Sequence, residues 1–302
     1  MKKFSSANRS ITHQRCRTAW LFMTPCLFVL LSVAAWPLFR TFLFSLTDAQ
    51  LGDIPHAQFV GFANFAELFA DDNWWSAVKN TLLFATFSVP CEAILGLMIA
   101  LVLHKTFMGR GLLRAAVLVP WAIPTIVSAR MWSWMLHDVY GVINELLVWI
   151  GAIAAPLPWT AAPELSLITI VLVDVWKTTP FMALLLLAGL QALPQDCFEA
   201  ALVDGVSRKR IFFRITLPLL RPTLIVALIF RTLDALRIFD LVYILSSGDA
   251  DTDTMSVYAR RHFVDYANVG HGSAAAVCLF FIVALVTVLY INIGRHNILG
   301  EV

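Results

Sequence analysis

Eight ionisable residues stand inside long apolar runs of this 302-residue chain: Glu92, Arg130, Asp174, Lys177, Arg231, Asp234, Arg237 and Asp240. At the centre of a membrane helix each costs about 2.5–3.5 kcal/mol on insertion scales, so such groups face one another or a wet cavity. They balance four against four. Asp174 and Lys177 are three residues apart. Arg231, Asp234, Arg237 and Asp240 recur at the same interval, at which helical neighbours touch. Two chemistries fit: ion pairs that fix helix register, or a polar path that hydrogen-bonds a solute's hydroxyls. Trp121, Trp132 and Trp176 offer ring faces to such a path, or simply pack and anchor the helices. The path candidates are thus Glu92, Trp121, Trp132, Asp174, Trp176, Lys177, Arg231, Asp234, Arg237 and Asp240; Arg130, nearer a span end, can snorkel out.

The elements that must position these groups are membrane helices. The chain is 59% apolar and 14% charged, against roughly 45–50% and 25% in a soluble domain. A net charge of +2 gives no footing for nucleic acid, and five cysteines make no disulfide framework. Six continuous apolar segments, near 19–39, 81–103, 115–136, 166–190, 222–245 and 274–294, are long enough to cross a bilayer as helices. The expected fold class is therefore all-α and polytopic. The first segment is too long for a signal-peptide core and is read as a retained span. Pro90, Pro120, Pro124 and Pro180 permit kinks in spans two, three and four. Short amphipathic stretches at 62–70 and 142–150 either lie on the membrane surface or pack against span ends.

Charge sorting sets the orientation. The two end segments and the 104–114 and 191–221 loops hold 14 Lys/Arg and 4 Asp/Glu; the other three loops hold 4 and 12. Positive-inside counting places both termini in the cytoplasm. The expected organisation is a cytoplasmic segment (1–18), a membrane domain (19–294) and a cytoplasmic tail (295–302). The seven histidines show no metal-ligand spacing, so no metal is expected.

The longest inner loop, 193–218, reads as a helical hairpin. Gln195 to Val203 are good helix formers, and Gly205 supplies a turn. Ser207 can cap a second short helix, with Arg208, Lys209, Arg210 and Arg214 toward water or lipid headgroups. Pro218 and Pro222 then open span five.

The same loop carries the pattern E-A-A-x3-G-x9-I-x-L-P on Glu199, Ala200, Ala201, Gly205, Ile215, Leu217 and Pro218. This resembles the signature loop of permease subunits of ABC importers that work with a binding protein. Further segments resemble that family's carbohydrate branch, the maltose, trehalose and glycerol-phosphate type. They are FVGFANF (59–65) with Ala77, Asn80 and Thr81; Pro120-Trp121 with Pro124, Trp132, Gly141 and Asn144; and Trp176-Lys177 with Pro180-Phe181. The segment SSGDADTDT (246–254) lacks the Gly-Gly-Pro that many relatives carry there. The resemblance implies the type I importer permease fold in a bacterial inner membrane. It implies a heterodimer with a second permease subunit, two ATP-binding subunits docked on the loop, and an extracytoplasmic sugar-binding protein. ATP and magnesium would sit on the ATPase partners, and this chain would bind no cofactor; it has no phosphate-binding G-x-x-x-x-G-K-[ST] loop. Residues 195–214, with Glu199, Ala200, Ala201, Asp204, Gly205, Ile215, Leu217 and Pro218, would couple to the ATPase. Glu199 would face a basic group, the two alanines would keep the helix thin, and Gly205 would set the turn. DALRIFD (234–240) resembles trehalose/maltose-type permeases and suggests an α-linked disaccharide. The competing reading is an ion-coupled secondary transporter using Glu92, Asp174 or Asp234. A membrane enzyme lacks support, since neither G-x-S-x-G nor H-E-x-x-H occurs.

Overall fold

A computed structural model of the chain describes residues 3–246 and 250–299. Its order is α1 (Lys3–Leu30), a π-turn into α2 (Trp36–Phe44), α3 (Ala63–Ala70), α4 (Asp72–His104), α5 (Arg110–Ala122), α6 (Thr125–Met135) and α7 (Val142–Trp149). There follow α8 (Pro163–Gln191), α9 (Gln195–Val203), α10 (Arg208–Ile211), α11 (Leu217–Leu236), α12 (Asp240–Leu245), α13 (Met255–Arg260) and α14 (Val269–Leu299). No strand occurs among the described residues, only two isolated bridges. Five helical stretches are long and apolar enough to span: Thr18–Phe44, Asp72–His104, Pro163–Gln191, Arg208–Leu236 and Val269–Tyr290. The pair α5 and α6 makes a sixth only if an 88° bend is counted within one span.

That bend falls at one of the prolines expected to permit a kink, and it is sharp enough to split the segment 115–136 into two helices. Pro124 has no N–H to donate and holds Ile123 in an extended conformation (φ −73°, ψ 132°). Pro90, Pro120 and Pro180 instead lie inside continuous helices. Span five is also displaced from 222–245. Its helix starts at Arg208, passes through a π-turn at Phe212–Thr216 and ends at Leu236. Pro218 sits in the first turn of α11 and Pro222 inside it, so neither opens the span. The chain then leaves the helix, with the Thr254 hydroxyl donating to the Ile238 carbonyl at 3.1 Å, and α12 packs beside α6.

The core has three parts. Near the chain's signature loop, Leu103, Met182, Leu186, Leu190 and Leu220 join α4, α8 and α11. The middle holds Phe84, Ile170, Val173, Leu236 and Leu241. At the opposite end Leu68, Trp74, Met255, Tyr258 and Ala274 join α3, α4, α13 and α14. Helices α4 and α8 pack closely: a Cβ added at Gly96 would come within 2.7 Å of Met182 Cγ. The first span is different, since none of Thr18–Phe44's apolar window is buried within the chain.

Candidate functional site

Of the eight intramembrane ionisable residues, four form one knot. Arg231 on α11 is the hub, and its side chain is 2% exposed. Its Nε and Nη2 fork onto the two Glu92 oxygens, Nη2 also reaches Asp174, and Nη1 meets Asp234 at 3.1 Å. One cation thus ties α4, α8 and its own helix together. Glu92 is fully buried, and Asp234 is open on its far side. A forked Arg–carboxylate contact fixes geometry in a way a lysine could not.

Two expected pairings do not form. Lys177 does not bridge Asp174; its Nζ donates to the Ile123 carbonyl at 2.7 Å, on the backbone group that the Pro124 break leaves without a helical partner. The expected four-rung ladder stops after Arg231 and Asp234, because α11 ends at Leu236 and Asp240 begins the next helix. Breaking the helix nonetheless keeps the set together. Asp174, Lys177, Arg231, Asp234, Arg237 and Asp240 line one cavity of about 180 Å³, with Thr125 and Thr178. An adjoining cavity of about 250 Å³ shares Thr178, Arg231, Asp234 and Arg237 and adds Trp121, Phe181 and Phe230. The Trp121 and Phe181 rings stack with centroids 5.7 Å apart. Trp132 and Trp176 line neither cavity; they meet edge to face at 5.3 Å. Arg130 lines a separate cavity of about 350 Å³ with Tyr243, Arg260 and Asp265.

The motif residues beyond the cavity act as polar staples. Asn64 donates to the Ser45 and Thr47 carbonyls at 2.9 and 2.8 Å, which ties the exit of the first span to α3. Asn80 donates to the Asp251 and Asp253 carbonyls at 2.7 and 3.1 Å, and the Thr81 hydroxyl accepts from the Met255 N–H at 2.9 Å. Asn144 donates to the Leu157 and His137 carbonyls, and accepts from the Leu157 N–H and the Trp159 indole. The segment 246–254 is therefore held on α4 through its second half; residues 247–249 lie outside the described residues.

A cluster at the same end was not legible from residue spacing. The Tyr258 hydroxyl donates to Asp71 Oδ2 at 2.6 Å and lies 3.0 Å from His271 Nε2, with the His262 ring tilted against the phenol at 4.4 Å between centroids. Burial and the hydrogen bond to Asp71 raise the Tyr258 phenol above its usual range. Burial, and then the neighbouring His271, push His262 down to about 4. Burial would raise Asp71, but the donors Tyr258 and Asn73 outweigh it and hold the carboxyl below its usual range.

The signature loop contrasts with all of this. Helix α9 ends in a Schellman turn: the Val206 N–H bonds the Ala201 carbonyl at 3.0 Å and the Gly205 N–H that of Leu202 at 3.1 Å. Gly205 has φ +70°, which an L side chain resists. Ser207 occupies the cap position of the next helix without a side-chain cap bond, unlike the cap expected there. Ala201 and Ile211 are buried and Ile215 and Leu217 half-buried, while Glu199, Ala200, Asp204, Gly205 and Pro218 are exposed. Leu202 and Val203 are exposed too, and Glu199 makes no ion pair among the described residues.

Residues 92–296 match the family described as the inner membrane component of binding-protein-dependent transport systems. This chain belongs to that family. It is a multi-pass inner-membrane permease subunit and not a catalyst; ATP hydrolysis in such systems falls to separate subunits. The chain is 43% identical to the trehalose/maltose transport system permease protein of Thermococcus litoralis, over 95% of this chain and 97% of that protein. It is 38% identical to the trehalose transport system permease protein of Mycobacterium tuberculosis, over 92% of this chain and 88% of that one. A crystal structure of a bacterial ABC transporter involved in alginate import superposes with a TM-score of 0.79 at 23% identity, covering 96% of this chain and 99% of that chain. The likeness to the solved structures shows the all-α importer permease fold, and the family match makes this chain the membrane component of a transport system that depends on a binding protein.

Proposed function

We propose that this permease imports an α-linked disaccharide such as trehalose or maltose, driven by ATP hydrolysis that reaches it through residues 195–214. One observation carries the coupling: α9 and its turn leave Glu199, Leu202 and Val203 exposed, although the fold buries polar motif residues elsewhere. An exposed apolar edge beside an unpaired carboxylate suits a groove with a basic rim. Ala200 keeps that edge thin, while Ala201 and Ile211 hold the elbow to the body. Asp204, Gly205, Ile215, Leu217 and Pro218 set its angle to span five. ATP and magnesium belong to the partner subunits in this reading.

The solute path passes the cavity lined by Asp174, Lys177, Asp234, Arg237 and Asp240, with Trp121 at its apolar side. Sugars take this mixture well: hydroxyls meet charged groups and C–H faces meet a ring. Glu92 and Arg231 hold the walls rather than touch the solute, and Trp132 and Trp176 brace them. The likeness to permeases for trehalose and maltose supports the solute class. The charge asymmetry of the loops supports cytoplasmic segments at 1–18 and 295–302 flanking a membrane domain over 19–294. The assembly would pair this chain with a distinct second permease chain and two ATPase subunits.

The test is a reconstituted transporter with its ATPase and binding protein. Trehalose or maltose on the binding protein should stimulate ATP hydrolysis, and Gly205→Pro or Glu199→Lys should abolish that stimulation. Normal uptake in both variants would refute the docking role. Uptake that survives loss of the ATPase but collapses with an uncoupler would favour ion coupling. Stimulation by glycerol phosphate alone would overturn the solute.

A further inference from the structure

Asp71, His262 and His271 place a carboxylate oxygen and two imidazole nitrogens within 4.8 Å of one another. Among the described residues no other group of three such side chains converges in this way. They come from three separate places: the cap of α4, the turn before α14, and the first turn of α14. Their sequence intervals of 191 and 9 residues explain why no ligand motif is visible in the chain. The two imidazole rings have centroids 4.5 Å apart.

Hydrogen bonding accounts for only part of the cluster. The Tyr258 hydroxyl donates its one proton to Asp71 and so accepts from His271 Nε2, a contact that an ion on Nε2 would replace, while the His262 ring has no hydrogen-bond partner among the described residues. Behind His271, on its other ring nitrogen, Glu67 Oε2 lies 3.8 Å from Nδ1. At that distance Glu67 is an electrostatic neighbour; a small closing movement would let it accept the Nδ1–H, the usual support of a metal-ligating histidine. Two imidazoles and one carboxylate form the three-ligand set of an open zinc site; calcium or magnesium would require a shell of oxygens.

We propose that Asp71, His262 and His271 form a binding site for zinc or a like divalent transition metal, with Glu67 positioning His271 from behind. The ion would clamp the start of α4 to the start of α14, at the end of the bundle remote from the elbow. Its role is mechanical: it restrains the outer ends of two spans and takes part in no chemistry. The site is independent of the solute and of the ATPase, so it stands or falls apart from the transport reading.

The experiment uses the whole transporter with its partner subunits, stripped with a chelator and dialysed against micromolar zinc. Metal content is read by elemental analysis, and the coordination by the visible absorption of cobalt substituted for zinc. The parent should hold one more zinc per copy of this chain than His262→Gln or Asp71→Asn does. Glu67→Gln should weaken binding by about 10–100-fold without abolishing it. His137→Gln, a control outside the cluster, should bind as the parent does. Zinc should raise the parent's melting temperature but not that of His262→Gln, whose metal-free melting should match the parent's. Equal zinc in the parent and His262→Gln, or cobalt absorption unaltered by that substitution, would overturn the proposal.

Discussion

The two ends of this bundle treat their motif residues in opposite ways. Where α3, α4, α13 and α14 meet, Asn64 and Thr81 are buried and hydrogen-bonded to backbone groups of distant segments, and Asn144 of α7 is buried and bonded to its neighbouring loop in the same way. At the elbow, Glu199, Ala200 and Gly205 are exposed, and the backbone bonds there close the turn and the ends of its short helices. A buried amide satisfied within its own chain explains itself: leaving its partners unmatched would cost about 1–3 kcal/mol. An exposed carboxylate beside exposed leucine and valine has no such internal reason. Patterned residues that face inward therefore hold this fold, and patterned residues that face outward are held for a partner.

The sharpest way to break that contrast is Arg231→Ala, which strands Glu92, Asp174 and Asp234 around an emptied centre. Removing one partner of a buried ion pair costs about 3–5 kcal/mol, so the purified subunit should melt far lower or fail to accumulate. A variant that melts near the parent would mean the knot contributes little. Asn144→Ala should cost about 1–3 kcal/mol through the four groups it leaves unmatched, read as a lower melting temperature with the solute-binding partner untouched. Gly205→Ala should cost about 1–2 kcal/mol, the strain of a left-handed backbone with a Cβ, and should slow stimulated ATP hydrolysis more than it lowers the melting point. Smallest in stability is Glu199→Lys, expected within about 0.5 kcal/mol of the parent because it lies exposed. Its uptake should nonetheless be lost, and a variant that is both stable and fully active would erase the distinction between the two ends.

The helical membrane class was legible from composition and run length, because hydropathy over a whole span leaves few alternatives. The α9 helix, its Gly205 turn and the α3 and α7 stretches were legible from local patterns. The span ends were less so. A hydropathy window cannot see that Pro124 breaks its helix while Pro90 and Pro180 do not, since that depends on whether a neighbour such as Lys177 is placed to take the freed carbonyl. The spacing of Arg231, Asp234, Arg237 and Asp240 suggested successive neighbours touching along one helix, but the helix ends between the second and third. Their gathering around one cavity is a product of the turn after Leu236, which no periodicity encodes. The Asp71, His262 and His271 cluster was invisible for a similar reason, being assembled across the tertiary fold.

The break after Ile123 has one more implication. Irregular backbone at membrane depth survives only where protein or water covers it, never against hydrocarbon tails. Lys177 caps the freed carbonyl, and both Lys177 and Thr125 line the charged cavity. A single Ile-Pro step therefore marks a flank of the bundle that must face protein or water rather than fatty acyl chains.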